Sequence, residues 1–362
     1  MTRFAARRAR LIKLMQEAGA EGLLVSNVTN VTYLTGFTGD SSHLLLTGRD
    51  EMLVSDFRYI TQLEEECPGL RTHIRPNSIL LRDAAIDVIG SVKVGRLAIE
   101  GDSFTVADYA HLTAKLPKLA IVSTTGVVEQ LREIKDEEEL AEIRRAIEVA
   151  ERAFAVVRGT LRPGQTEKEL ADELDHQLRL QGAQGSCFPT IVAADARAAL
   201  PHARPTTEPI DGRDLLLVDW GANCGYKSDL SRVLVTGRIS PKLELLYGVV
   251  LKAQEQAIAA IRPGKTGCEI DAIARGIIAD AGFDKYFGHG LGHGIGLDVH
   301  ELPRLSPISE KPLEAGMVVT VEPGIYLPGW GGIRIEDDVL VTRRGHEVLT
   351  SCPKQLADAI VH

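Results

Sequence analysis

The chain is 362 residues long, 44% hydrophobic and 25% charged, an ordinary globular composition with apolar material for about two domains. Fifty acidic against 41 basic residues leave a formal charge of −9, which disfavours attraction to phosphate backbones or anionic lipid, so nucleic acid is not an expected partner. No apolar run approaches the roughly 18 to 20 residues of a membrane-spanning helix. The five cysteines are scattered without a CxxC pair, which suggests neither a disulfide framework nor a thiolate zinc site and fits a reducing cytoplasm.

The Arg-rich start reads as an ordinary first helix because Leu11, Ile12 and Met15 recur at helical spacing. Five apolar runs follow (EGLLVSN, HLLLTG, EMLVSD, GRLAIEG and LAIVST), each bounded by Gly, Asp or Asn, which predicts a small α/β domain over residues 1–126. Residues 127–362 form the second domain. Asp136 and Glu139 have the spacing of a capping box, and a long helix over 137–158 is expected to begin there. Inside this domain LRPGQTEKEL at 161–170 recurs as IRPGKTGCEI at 261–270, each copy a turn followed by a helix capped by Thr166 or Thr266. Two copies are too few for a solenoid, so the repeat predicts a pseudo-twofold α+β domain whose halves share one sheet.

The strands after each repeat carry acids where a core strand should not. Period-two alternation puts Asp219 with Leu215 and Leu217, Asp229 with Ser231 and Val233, Glu322 with Val318 and Thr320, and Glu336 with Arg334. A salt bridge would explain any one of these, but four carboxylates taken into a sheet cost several kcal/mol each unless cations compensate them. Arg232 and Arg334 can balance only part of that charge. Two divalent cations would balance it all.

Between the carboxylate pairs lies FGHGLGHGIGLDVHELP, with glycine at 288, 290, 292, 294 and 296. In an extended chain one edge is then bare backbone, open to close approach, while His289, Leu291, His293, Ile295 and Leu297 project together. Neither GxGxxG nor GxxxxGK[ST] is matched, so a phosphate loop is not the reading. Three histidines within twelve residues point to ligation or proton transfer instead.

The motifs LLLVDWGA, YKSDLSR, GHGLGHGIGLDVHELP, VTVEPGIY and GGIRIED resemble the metal-site motifs of the "pita-bread" metallopeptidases, which include methionine aminopeptidase and the proline peptidases. The stretch from Arg10 to Leu46, with DFRYITQ after it, resembles the accessory domain of the proline-peptidase branch and of creatinase. The resemblance implies a creatinase-like α/β domain followed by a pita-bread catalytic domain. It also implies a dinuclear site on Asp219, Asp229, His293, Glu322 and Glu336, with Asp229 and Glu336 bridging. His289, His300 and His202 match substrate-side histidines, Arg334 an arginine near the metals, and Phe188 a wall of the pocket. Oxygen-rich ligation with one imidazole suits Mn, Co, Fe or Zn, manganese being favoured on resemblance and zinc the first alternative.

The implied activity is hydrolysis of X-Pro bonds at peptide N-termini, by an aminopeptidase or a dipeptidase. Glu322 would exchange protons with the attacking water, and His289 and His300 would polarise the carbonyl or steady the proline nitrogen. The expected partners are proline-containing peptides and a second copy of the chain in a dimer. The alternatives are methionine aminopeptidase, a metal-free creatinase-like C–N hydrolase, and a noncatalytic binding protein on the same fold. Asp219 and Asp229 stand one residue closer than the family's motif usually places them. That spacing predicts a tighter hairpin, whereas a slipped register would turn Asp229 to the opposite face.

Overall fold

The computed structural model describes residues 2–361, which divide into two compact units at the Arg132–Glu133 boundary. In the first unit α1 (Arg3–Glu17) starts at Thr2, whose hydroxyl accepts the Ala5 N–H, and buries Leu11 and Met15. The chain continues through β1 (Gly22–Val25), α2 (Val28–Thr35), β2 (His43–Thr47), β3 (Glu51–Asp56), α3 (Ile60–Glu66) and β4 (Arg71–Arg75). It closes with α4 (Leu81–Ser91), β5 (Arg96–Glu100), α5 (Val106–Lys115), β6 (Ala120–Thr124) and a short α6 (Glu129–Arg132). The basic residues of α1 hold the end of α2: Arg7 donates to the Tyr33 carbonyl at 3.0 Å and Arg8 to that of Leu34 at 2.9 Å. The sheet order is β4-β3-β2-β1-β5-β6. Five of its strands coincide with the apolar runs. The sixth, β4, reads RTHIR and sits at an edge beside β3 alone, where one unpaired side tolerates charge.

The second unit opens with α7 (Glu137–Gly159), started by the Asp136/Glu139 capping box. Then come α8 (Glu167–Leu180), β7 (Ile191–Ala194), β8 (Leu216–Trp220), β9 (Asn223–Cys224), β10 (Tyr226–Lys227) and β11 (Leu230–Leu234). The second half repeats the plan with α9 (Pro241–Ala260), α10 (Gly267–Asp280), β12 (Gly292–Gly294), β13 (Glu301–Leu305), β14 (Val318–Val321), β15 (Gly324–Leu327), β16 (Gly331–Arg334), β17 (Asp337–Val341) and β18 (His346–Val348). The strand orders β11-β8-β7 and β17-β14-β12 correspond. Both Thr166 and Thr266 complete capping boxes, and each also bridges a proline, Pro209 and Pro312. This is the pseudo-twofold α+β domain that the internal repeat predicts, except that the two halves keep separate hydrogen-bonded sheets, β11-β8-β7 and β13-β12-β14-β17-β18, rather than sharing one.

Alternation along β8 separates two cores. Leu216, Val218 and Trp220 pack on α7 and α8, with Trp220 stacked 4.1 Å from Phe154 and donating its indole N–H to the Ala150 carbonyl. Leu215 and Leu217 instead join Val319, Val321, Ile333 and the apolar stripe of α9. Asp219 continues that second face.

The glycine-rich segment corrects one expectation. Its bare edge is used by the chain itself: a Cβ on Gly292 would lie 2.0 Å from the Thr320 carbonyl oxygen and one on Gly294 would lie 2.1 Å from that of Leu302. Its side chains do not all project together, because the register shifts between His293 and Gly294. Leu291 therefore enters the core beside α9, and Ile295 the cluster beside α7.

Candidate metal centre and active site

Each half of the second unit contains one long antiparallel ribbon with a two-residue gap in its ladder. Val321 pairs with Asp337 below the gap and Gly324 with Arg334 above it, in one continuous register. Glu322 and Glu336 therefore stand directly opposite each other inside the gap. In the other ribbon Leu230 pairs with Trp220 and Lys227 with Asn223, again in one register, so the gap falls at Gly221–Ala222 against Ser228–Asp229. Asp219 lies two residues before that gap. The acids thus sit at or beside breaks rather than inside unbroken strands as the alternation alone suggested: only Asp219 is within a ladder. At a break the side chain turns inward without disturbing a neighbouring pair. The short spacing between the aspartates is absorbed at the hairpin tip, where Gly225 adopts φ +93° between β9 and β10. Asp229 keeps its inward direction.

All five expected ligands line one cavity of about 1030 Å³. Oxygen or nitrogen atoms of Asp229, His293 and Glu336 lie within 4.8 Å of one another. His293 Nε2 is 3.8 Å from Asp229 Oδ2 and 3.3 Å from Glu322 Oε1. Its Nδ1 is 3.0 Å from the Gly294 carbonyl; a carbonyl can only accept, so Nδ1 carries a proton and Nε2 is the nitrogen turned toward the carboxylates, where it can bond to them or ligate a cation. Asp219 faces the same space, but one of its oxygens forms an ion pair with Arg334 and the other is buried with no partner.

The electrostatics of this cluster are those of missing positive charge. Burial, followed by the neighbouring Glu336, Asp219 and Glu322, pushes the Asp229 carboxyl well up, and burial with Glu322 and Asp219 does the same to Glu336. Burial would also raise Glu322, but the hydrogen bond and charge of His293 outweigh it and hold that carboxyl below its ordinary value. Among the described residues one guanidinium, that of Arg334, pairs with a carboxylate of the cluster. Of the cluster, Arg232 reaches only the Glu336 backbone carbonyl, and it spends its charge on Asp337, 2.7 Å away, and on the Pro353 and Cys352 carbonyls. Like charges directly opposite on paired strands destabilise, so the opposed glutamates, the orphaned Asp219 oxygen and the His293 Nε2 turned toward the carboxylates all fit divalent cations held on these five side chains.

A second ring of contacts fixes this cluster, and sequence reading found only part of it. Ser231 donates to Glu336 at 2.8 Å and accepts from Arg334 Nε at 2.8 Å. Arg334 Nη1 donates to the Tyr326 hydroxyl at 2.7 Å, which lies 3.0 Å from His289 Nε2. His289 Nδ1 is committed to the Gly290 carbonyl at 2.8 Å, so its Nε2 accepts the tyrosine proton. Burial favours that neutral imidazole and pushes the Tyr326 hydroxyl up to about 12. Both nitrogens of His289 thus have partners within the chain, and its ring lines the cavity. His300 stacks edge-on against His293 with centroids 4.4 Å apart, and burial followed by the His293 charge lowers its basicity. His202 and Phe188 line the same cavity. Tyr326 was missed because EPGIY reads as an ordinary buried strand; the unsatisfied donors of a buried Arg334 are the signal that asks for it. Asp338 was missed too. Its Oδ2 accepts the Asp229 N–H at 3.2 Å, which anchors the backbone of the ligand rather than its carboxylate.

Comparison with known proteins agrees with this reading. The profile of metallopeptidase family M24 matches residues 141–343, and that of the creatinase/prolidase N-terminal domain matches residues 7–134. The chain is 34% identical to an Xaa-Pro dipeptidase of Pyrococcus horikoshii, over 96% of this chain and 97% of that one. Its fold matches the solved Xaa-Pro dipeptidase from Bacillus anthracis with a TM-score of 0.94 at 38% identity, covering 99% of this chain and 100% of that one. The X-Pro aminopeptidase from Thermotoga maritima follows with a TM-score of 0.88 at 35% identity, covering 98% of this chain and 99% of the other. The chain therefore belongs to metallopeptidase family M24, in its prolidase-like branch that carries a creatinase/prolidase N-terminal domain.

Proposed function

We propose that this chain hydrolyses X-Pro bonds with two divalent cations that Asp219, Asp229, His293, Glu322 and Glu336 would hold. The observation that carries the proposal is the opposed pair of glutamates, accompanied by two aspartates and an imidazole but, among the described residues, by one guanidinium. When bound, such cations acidify water and stabilise the oxyanion of a tetrahedral intermediate. Manganese is the favoured metal, with zinc, cobalt or iron as alternatives for an oxygen-rich site with one imidazole.

The chain's own groups then divide the work. Glu322, kept ionised by His293 and partly exposed to the cavity, takes the proton of the attacking water. His300, edge-on to His293 in the cavity lining, is the imidazole offered to the scissile group, and His202, which lines the same cavity, meets the substrate. Tyr326 and His289 hold Arg334 in place, and Arg334 in turn holds Asp219. The nitrogen of an X-Pro bond has no N–H, so a site without a backbone acceptor for that proton loses nothing on it.

Among the two finer activities, Arg304 favours the dipeptidase. It is an exposed cation in the cavity, paired directly across the ladder from His293, and suits the free carboxylate of an X-Pro dipeptide. The test charges the purified protein with manganese and compares an X-Pro dipeptide with a longer X-Pro peptide. Dipeptide hydrolysis is expected, abolished in His293→Ala, with KM raised about tenfold in Arg304→Gln. Failure to cleave any X-Pro bond with manganese, cobalt, zinc or iron would sink the peptidase assignment. Preference for the longer peptide would instead select the aminopeptidase.

A further inference from the structure

The first unit holds a cavity of its own, about 430 Å³, which peptide hydrolysis does not use. It opens beyond the carboxyl ends of two adjacent parallel strands, β1 and β5, where Ser26 and Ser103 lie 3.4 Å apart, and His43 enters it from the start of β2. The chain leaves β1 into α2, which packs with α1, and leaves β5 into α5, which packs with α4. Neighbouring strands that diverge in this way open a crevice, which is where open α/β sheets bind ligands.

Three observations define what would fit. His43 Nδ1 is buried and has no hydrogen-bond partner, an arrangement that costs free energy unless something fills it. Arg82 and Asp108 Oδ1 face each other at 3.6 Å, with side chains 44% and 29% exposed, while Asp108 Oδ2 accepts from the Thr105 hydroxyl at 2.5 Å; a pair so long and so wet stabilises little by itself, so Arg82 and Asp108 Oδ1 can each exchange it for a ligand's charge. Leu24, Ile86, Leu112 and Phe104 complete an apolar wall. One fixed cation, one fixed anion and an uncharged imidazole favour a net-neutral ligand bearing both charges, and the wall favours an aliphatic tail.

We propose that this cavity binds a free aliphatic α-amino acid, its carboxylate on Arg82, its ammonium group shared by Asp108 and His43, and its side chain against Leu24, Ile86 and Leu112. The size of the cavity falls within the range of small-molecule sites, roughly 300 to 1,000 Å³.

The test is equilibrium dialysis of radiolabelled L-leucine against the full chain carrying His293→Ala and stripped with EDTA, so that the metal centre contributes no affinity. One equivalent bound at or below about 1 mM is expected. Arg82→Ala, at a half-exposed helical position that leaves the fold intact by circular dichroism, weakens binding about tenfold or more, as does His43→Leu. Unlabelled N-acetyl-L-leucinamide, which lacks both charges, does not compete. No bound leucine, undiminished binding in Arg82→Ala, or full competition by the uncharged analogue would each overturn the proposal. None of these results bears on X-Pro hydrolysis, which is read on the unmodified protein.

Discussion

Removing the single hydroxyl of Tyr326 tests how the centre is held together. That oxygen accepts from Arg334 Nη1 at 2.7 Å and donates to His289 Nε2, 3.0 Å away. In Tyr326→Phe the buried guanidinium, 3% exposed, keeps only the Pro201 carbonyl at 3.4 Å for Nη1. A hydrogen bond to a charged group contributes about 1.5 to 3 kcal/mol, and the imidazole loses a neutral partner for about 1 more, so the change should cost about 2 to 4 kcal/mol. For a unit of this size that corresponds to a fall of about 5 to 15 °C in Tm. Arg334 also orients Asp219, so a displaced guanidinium should lower kcat about 10- to 100-fold while KM changes little. Thermal unfolding by circular dichroism, together with X-Pro hydrolysis under saturating manganese, reads both quantities. A Tm within about 1 °C of the parent and unchanged kcat would show that the hydroxyl bridges nothing of consequence.

Three further perturbations are independent of that network. Chelation should lower Tm, because cations at one hundred times Kd stabilise by about 2.7 kcal/mol per site; calorimetric scans with and without EDTA that superimpose would contradict a metal centre. Gly294→Ala drives a Cβ to 2.1 Å from the Leu302 carbonyl and should cost about 3 kcal/mol or more, whereas Gly248→Ala, in α9 with open space around it, should stabilise by about 0.5 to 1 kcal/mol; urea unfolding of the two variants gives the contrast, and equal effects would refute it. Glu269, held down to about 2 by the Lys265 side chain and the Thr266 N–H, supports the fold above the ordinary carboxylate value and loses that support as pH falls from about 4.5 toward 2. Glu269→Gln should flatten urea stability over that window, and an unaltered acid limb would exclude the effect.

The candidate site residues were legible because they violate local expectation: four acids in or beside apolar strands and three histidines in one glycine-rich segment ask for a shared centre. The repeat at 161–170 and 261–270 exposed the pseudo-twofold, since turn and capping-box chemistry leaves a record in residue type. What the sequence concealed depends on pairing across distance. The opposition of Glu322 and Glu336 follows from a register shared by four strands, which no single segment encodes. The bulge that parts Leu291 from Ile295 is likewise set by β13, not by the glycines. Tyr326 and Asp338 act through a guanidinium and a backbone N–H, and in the sequence alone each is one more polar residue in a buried strand. β4 hid for the opposite reason, its edge position permitting a composition that resembles a loop.

The ribbon that joins Asp219 to Asp229 keeps one pairing frame from its base to its tip, and the tip is a lone glycine surrounded by open space. Length changes are therefore unequal in their consequences. Residues gained or lost at Gly225 alter only the turn between β9 and β10, since the pairing frame below it is fixed by Tyr226, which packs on α7. One residue added between Val321 and Gly324 would instead rotate a carboxylate out of the cluster, which makes that short stretch the part of the chain least free to drift.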